Sequence, residues 1–299
     1  MSPATDTSDA GTQARTGLAP AKINLALHVT GRRADGYHLL ESLAVFTRFG
    51  DRLEIEPAES DRFSISGKYA SGVPSDETNL VVRAREALRR EAGSLATPPV
   101  AITLEKNLPV TSGVGGGSSD AAAVLRGLVR TWRLDIGDAH LARIGLSLGA
   151  DLPMCLAARP LIARGVGDEL SAVPSFPALA LVLVNPGVAV STPEVFKALA
   201  RRDNEALPPL PGKLDFHSIR SWLDATRNDL EPAARTIQPV IGEALRALRK
   251  ADAGFARMSG SGATCFGLFE TGNVAKRAAL DIRHRHPDWF VAATRSMEA

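Results

Sequence analysis

Between Pro109 and Ala123 the chain reads PVTSGVGGGSSDAAA, a glycine-rich turn that runs directly into helical spacing. Gly113, Gly115, Gly116 and Gly117 tolerate positive φ and place no Cβ between the backbone and a ligand. After them Ala121, Val124, Leu125, Leu128, Val129 and Trp132 recur at the three- and four-residue intervals of a helix with one apolar face. Ser118 and Ser119 have N-cap chemistry, so the helix is predicted to open there. A bare loop feeding a helix N-terminus offers unpaired N–H donors and the positive end of a macrodipole, which together suit a phosphate. The spacing matches neither common phosphate template. Ser118 stands where a Walker loop would carry lysine, and the G-x-G-x-x-G register also fails at Ser118. Taken alone, the stretch also reads as an ordinary loop-to-helix cap.

The other 284 positions have to decide between these readings, and their composition narrows the field. With 299 residues, 44% hydrophobic and 23% charged, the chain can bury a core without disulfides or metals. Its 35 basic and 33 acidic side chains leave a net charge of +2, too even for a nucleic-acid coat or a membrane-binding surface. The arginines at 83, 85, 89 and 90 read as a solvated helix face. Cys155 and Cys265 both sit in apolar surroundings, as reduced core thiols of a cytoplasmic protein would. Residues 1–17, rich in Ser, Thr, Ala, Asp and Gly, read as a disordered tail.

Strands are expected at 23–29, 39–47, 51–56, 100–104, 178–184 and 263–269. Helices are expected at 79–92, after the glycine loop, at 138–148 with Gly149 as C-cap, from Glu194, and at 218–223, 240–250 and 274–285. Strands and helices mix without strict alternation, so the fold class is α+β. Pro160, Pro174 and Pro177 mark a boundary zone, and dividing at 165 gives domains 18–165 and 166–299.

Two further places carry chemistry. In PAKINLALHV, strict alternation puts Lys22, Asn24, Ala26 and His28 on one face and Ile23, Leu25, Leu27 and Val29 on the other. A lysine and an asparagine two apart can address one small-molecule site, or simply face solvent. Asp151 follows the helix-ending Gly149, either as an N-cap or as a carboxylate held beside a cleft.

PAKINL, PVTSGVGGGSSDAAA, LGADLP and MSGSGATCF, in that order, resemble the blocks of the GHMP small-molecule kinase superfamily. GRRADGYH and STPEVF further resemble one branch of it, which phosphorylates the 2-hydroxyl of a cytidine diphosphate-linked methylerythritol for isoprenoid precursor synthesis. The resemblance implies a two-domain fold with its site in the inter-domain cleft, an ATP-binding N-terminal domain, and ATP, with Mg²⁺, as phosphoryl donor. It implies that Asp151 is the catalytic base and that Lys22 sits beside the reacting hydroxyl. Pro109, Val110, Thr111, Ser112, Gly113, Val114, Gly115, Gly116, Gly117, Ser118 and Ser119 would wrap the nucleotide phosphates. Asn24 and Thr192 would line the substrate pocket, Tyr37 and Phe196 would sandwich the cytosine, and His38 would read its edge. No acidic residue is fixed by spacing as a metal ligand. Thr111-Ser112 departs from the small residues usual at the loop entrance. Partners other than the small molecule are not expected, and the chain is expected to be a monomer or a weak homodimer. The alternatives are another GHMP kinase, acting on a sugar, mevalonate or homoserine, or a non-catalytic nucleotide-binding regulator of the same fold.

Overall fold

A computed structural model of the chain describes residues 15–110 and 112–299. Thr111, and residues 1–14 of the expected tail, lie outside the described residues. Arg15 to Gly17, assigned to that tail from sequence, instead begin a strand. The first half runs β1 (Arg15–Arg32), β2 (His38–Pro57), β3 (Arg62–Ser66), α1 (Leu80–Ala92), β4 (Val100–Glu105), α2 (Gly116–Thr131), α3 (Asp138–Leu148), α4 (Leu152–Ala157), β5 (Leu161–Arg164) and β6 (Glu169–Ala172). The second half runs β7 (Ala180–Asn185), α5 (Thr192–Lys197), α6 (Phe216–Asp224), α7 (Glu231–Ile237), α8 (Val240–Lys250), β8 (Phe255–Met258), β9 (Cys265–Phe269), α9 (Gly272–Arg285) and β10 (Phe290–Arg295).

Two sheets result. The first has the order β3-β4-β2-β5-β6 with β1 also on β2; the second is β10-β7-β9-β8. Because β5 and β6 pair into the first sheet through Ala172, the division between sheets falls between 172 and 180 rather than at 165. Hydrophobic alternation then builds three cores. Phe46, Leu53, Ile55 and Ile102 face α1, α2 and α3, while Val182 and Val184 face α8 and α9. Between the sheets, Ile23, Leu25, Leu43 and Val45 meet Leu181, Leu183, Phe266 and Leu268, with α6 closing the side.

β1 and β2 depart most from the alternation rule. β2 is one strand of 20 residues, not two broken at Gly50. A Cβ at Gly50 would lie 2.0 Å from the Ala19 carbonyl oxygen, so this glycine serves close strand approach and not a turn. β1 carries register shifts at Pro20/Lys22, Asn24/Ala26 and Val29/Gly31. A bulge inserts one extra residue and reverses which face the following side chains take. Ala26 therefore joins Ile23 and Leu25 in the inter-sheet core, while Leu27 and Val29 join the core under α8. Nor is the polar face of β1 solvent-facing. Lys22, Asn24 and His28 are all buried.

Two smaller readings also change. α2 opens at Gly116 with Gly115 as a left-handed N-cap (φ 66°), two residues before the serines. Arg85 is buried and turns to Glu86 and Asp61, so the α1 arginines do not form a uniform solvated face. Both cysteines are free and buried, as expected.

Candidate active site

Two glycine turns from different sheets lock together. A Cβ on Gly113, whose φ is +74°, would lie 2.5 Å from the Gly262 carbonyl oxygen and 2.8 Å from that of Ser259. Thr264 N–H donates to the Ser112 carbonyl at 3.1 Å, and Ser259 Oγ donates to that of Gly113 at 3.3 Å. The same Ser259 Oγ accepts the Asn24 N–H at 3.1 Å, tying β1 to both turns. Past this junction the chain enters α2, whose first ladder bond is Ser119 N–H to the Gly115 carbonyl at 2.8 Å. The N–H groups of Gly116, Gly117 and Ser118 precede that ladder, so the helix does not use them.

A cavity of about 710 Å³ opens on this helix start, bordered by β1, α2, α4, α5, the β5–β6 turn and the Gly260–Gly262 turn. Lys22 reaches it from β1, its side chain passing the glycine loop so that a Cβ on Gly115 would touch Lys22 Cε at 3.4 Å. Its Nζ donates to Asp151 Oδ2 at 2.7 Å, across 129 residues of sequence. Asp151 is placed by α4, which it precedes as N-cap residue without a side-chain capping bond, so its carboxylate is spent on Lys22 and the cavity rather than on the helix. Arg126, from the middle of α2, holds the far end of α4 by donating to the Cys155 and Leu156 carbonyls at 2.9 and 2.8 Å. The two charges have different surroundings: the Lys22 side chain is 7% exposed and that of Asp151 44%. Burial opposes the charge on Lys22, but the neighbouring Asp151 carboxylate outweighs it and holds the ammonium above its ordinary value. A carboxylate open to the cavity, oriented by a buried ammonium beside a glycine-rich loop, can take a proton from an alcohol and steady the charge that develops.

Pro109, Val110, Ser112, Gly113, Gly115, Gly116, Gly117 and Ser118 line this cavity, as do Asn24, Thr192 and Phe196. Two members of the expected loop do not. Val114 is a core residue whose carbonyl accepts the Lys22 N–H at 2.9 Å. Ser119 is buried and its hydroxyl donates to the Pro20 carbonyl at 2.7 Å, because a residue four places into the helix already points inward. Asn24 donates Nδ2 to Ser42 Oγ at 2.7 Å. Thr192 Oγ1 and Ser261 Oγ lie 2.7 Å apart. His28, on the same expected face as Lys22, lies away from the cavity with both ring nitrogens occupied, by the Glu205 carbonyl and by the Arg227 N–H.

The aromatic arrangement differs from the expected sandwich: Phe196 lines the cavity, whereas Tyr37 and His38 do not. Phe196 stacks on His38, centroids 4.7 Å apart and planes 24° apart, while Tyr37 is 65% exposed on the β1–β2 turn. His38 Nε2 is buried without a hydrogen-bond partner. Burial, then Arg32 and Arg202, lower the His38 pKa, so its imidazole is neutral near pH 7. The sequence reading also missed several lining residues: Val166 and Gly167 on the β5–β6 turn, the Val73–Leu80 approach to α1, and Lys106 with Asp120. Gly165 and Gly167 flanking one residue were a legible turn signal; Lys106 and Asp120 had none.

Residues 79–159 match the model of the GHMP kinases N terminal domain and residues 195–288 that of the GHMP kinases C terminal domain. The chain belongs to the GHMP kinase family. A 4-diphosphocytidyl-2-C-methyl-D-erythritol kinase of Mesorhizobium japonicum is 75% identical to this GHMP kinase, over 95% of the chain and 97% of the relative. One from Chelativorans is 56% identical over 93% and 95%. The crystal structure of a 4-(cytidine 5'-diphospho)-2C-methyl-D-erythritol kinase superposes with a TM-score of 0.77 at 33% identity, covering 95% of this chain and all of that one. A homoserine kinase from Cytophaga hutchinsonii superposes at 0.69 with 15% identity, a likeness of fold alone. Among the described residues no helix is long and apolar enough to cross a membrane.

Proposed function

We infer that this GHMP kinase transfers a phosphoryl group from ATP to the 2-hydroxyl of 4-diphosphocytidyl-2-C-methyl-D-erythritol. The observation that carries the reading is the 2.7 Å pair of Lys22 and Asp151 facing one cavity with the free N–H groups of Gly116 to Ser118. Those N–H groups and the bare backbone around them fit a triphosphate. ATP supplies the transferable γ-phosphoryl, carried as its Mg²⁺ complex; among the described residues no three His, Cys, Asp or Glu side chains come together as a metal site.

Asp151 accepts the hydroxyl proton as the substrate oxygen bonds to phosphorus and the bond from phosphorus to the ADP oxygen breaks. Lys22 stays protonated throughout, orienting Asp151 and offsetting negative charge between the alcohol and the phosphates. The loop holds donor and acceptor in line, which is most of what phosphoryl transfer requires. Phe196 stacks the cytosine, Tyr37 covers it from the solvent side, and His38 addresses its edge. Stacking supplies on the order of 1–3 kcal/mol. The reaction is placed in the cytoplasm, where ATP is available.

Phe196 on the cavity wall, with His38 stacked against it, favours a base-carrying substrate over a small sugar, mevalonate or homoserine. Comparing 4-diphosphocytidyl-2-C-methyl-D-erythritol with 2-C-methyl-D-erythritol 4-phosphate, which lacks the cytidine, tests this. The expected kcat/KM ratio is about a hundredfold in favour of the cytidine substrate, from stacking plus one hydrogen bond. Equal use of both would reject the assignment of the base pocket.

A further inference from the structure

The run RNDLE at 227–231 borders the cavity only through Leu230, yet it joins two parts of the site. Its backbone lies along β1, the strand that carries Lys22 and Asn24. Leu27 N–H donates to the Arg227 carbonyl and Asp229 N–H to the Leu27 carbonyl, both at 2.9 Å. Asp229 Oδ2 accepts the Val29 N–H at 2.7 Å, so the segment is pinned to the strand. From that anchorage the buried Asn228 side chain reaches the second glycine turn. Its Nδ2 donates to the Met258 carbonyl at 2.8 Å and to the Gly260 carbonyl at 2.9 Å. Its Oδ1 accepts the Leu230 N–H at 3.0 Å. Both amide hydrogens are spent, and a flipped amide would set Oδ1 against two carbonyl oxygens.

The turn held this way touches both sides of the cavity. The Gly262 and Ser259 carbonyl oxygens face Gly113 of the first loop, and Ser261 Oγ lies 2.7 Å from Thr192 Oγ1 at the start of α5. Gly260, Ser261 and Gly262 all line the cavity. Asn228 grips the carbonyls on either side of Ser259, whose own hydroxyl accepts the Asn24 N–H. Resting on the kinase reading above, we propose that Asn228 is a positioning residue for phosphoryl transfer. It sets the Gly260–Gly262 turn against β1, and with it the spacing between the loop that receives the nucleotide and the α5 start that receives the alcohol.

This role separates alignment from binding. The glycine loop keeps its own ties to β1, from Lys22 N–H to the Val114 carbonyl and from Ser119 Oγ to the Pro20 carbonyl. A turn that drifts therefore leaves the loop able to take nucleotide. In-line transfer is less forgiving, since a misplacement of about 1 Å costs on the order of a hundredfold in rate. Aspartate has the outline of asparagine but no amide hydrogen, and its charge would face two carbonyl dipoles.

The test is initial-rate kinetics of the full chain over both substrates, with thermal unfolding alongside. In Asn228→Asp, kcat is expected to fall about tenfold or more, while both KM values stay within about threefold of wild type. Asn228→Ala, which loses the donors without adding charge, is expected to show a smaller loss of the same kind. Thr271→Ala is the stability control. It removes the side-chain cap that accepts the Val274 N–H at the start of α9, so its Tm falls while its kinetics hold. An Asn228→Asp variant that behaves like this control, with lower Tm and unchanged kcat, overturns the proposal. A loss carried by KM rather than kcat overturns it too. Should Asn228→Asp not fold, Asn228→Ala is read in the same way, and failure of both to fold overturns the proposal in favour of a folding role. Absence of transfer by the wild type rejects the kinase reading itself, a result distinct from wild-type activity that the variants share.

Discussion

Asp151→Asn is expected to lower kcat about a thousandfold while the ATP analogue still binds. The substitution keeps the shape and an oxygen for Lys22 but removes the group proposed to take the proton, and a positioned general base contributes roughly 10²–10⁴ in rate. In the proposed reading nucleotide binding rests on the α2 N-terminus and the two glycine turns, whereas the Asp151 side chain is bonded to Lys22, so Kd for the analogue is expected to change little. The variant also leaves Lys22, 5% exposed, without its carboxylate, and a buried charge deprived of its partner destabilises the fold. A modest drop in Tm is therefore expected together with the loss of rate. Single-turnover kinetics beside calorimetric binding separate the two effects. A variant that turns over at near the wild-type rate would show that the proton leaves by another route.

Gly113→Ala has the second large effect, through the backbone. At φ +74° an alanine is strained by about 1–2 kcal/mol before any contact is considered. Its methyl would also stand 2.5 Å from the Gly262 oxygen and 2.8 Å from that of Ser259, both backbone atoms that cannot rotate away. The junction between the two turns must open, for a total on the order of 2–4 kcal/mol. Because the same junction fixes the entry of the chain into α2, KM for ATP is expected to rise more than tenfold as Tm falls. Gly137→Ala is the control, since nothing lies within 4 Å of that Cβ position. Thermal unfolding and initial-rate kinetics on both variants check this; unchanged KM in Gly113→Ala would mean that the turns are not mechanically joined to nucleotide binding.

How far the sequence revealed these features depends on how local their causes are. The glycine loop and its helix were legible because glycine spacing and helical periodicity act within one segment. The amphipathic helices 79–92 and 138–148 were legible for the same reason, and appear as Leu80–Ala92 and Asp138–Leu148. The bulges of β1 were not, since a register shift shows only against the partner strand. That 39–47 and 51–56 form one strand was not legible either, because Gly50 packs against Ala19, 31 residues away. At the site, the ordered blocks pointed to Lys22 and Asp151, while their distance is a property of the fold. Phe196 stacks on His38 and not on Tyr37, since successive residues of extended chain entering β2 project to opposite sides. The Asp51–Lys106–Asp120 cluster left no trace, being three ordinary charged residues in three elements.

The most direct measurement follows labelled phosphorus. With ATP labelled at its terminal phosphate and 4-diphosphocytidyl-2-C-methyl-D-erythritol, phosphorus NMR of the product is predicted to show one new phosphomonoester, on the 2-hydroxyl, with the cytidine diphosphate bridge intact. Label appearing on the ribose, label released only as free phosphate, or no transfer at all would contradict a cavity in which Lys22 and Asp151 address that alcohol.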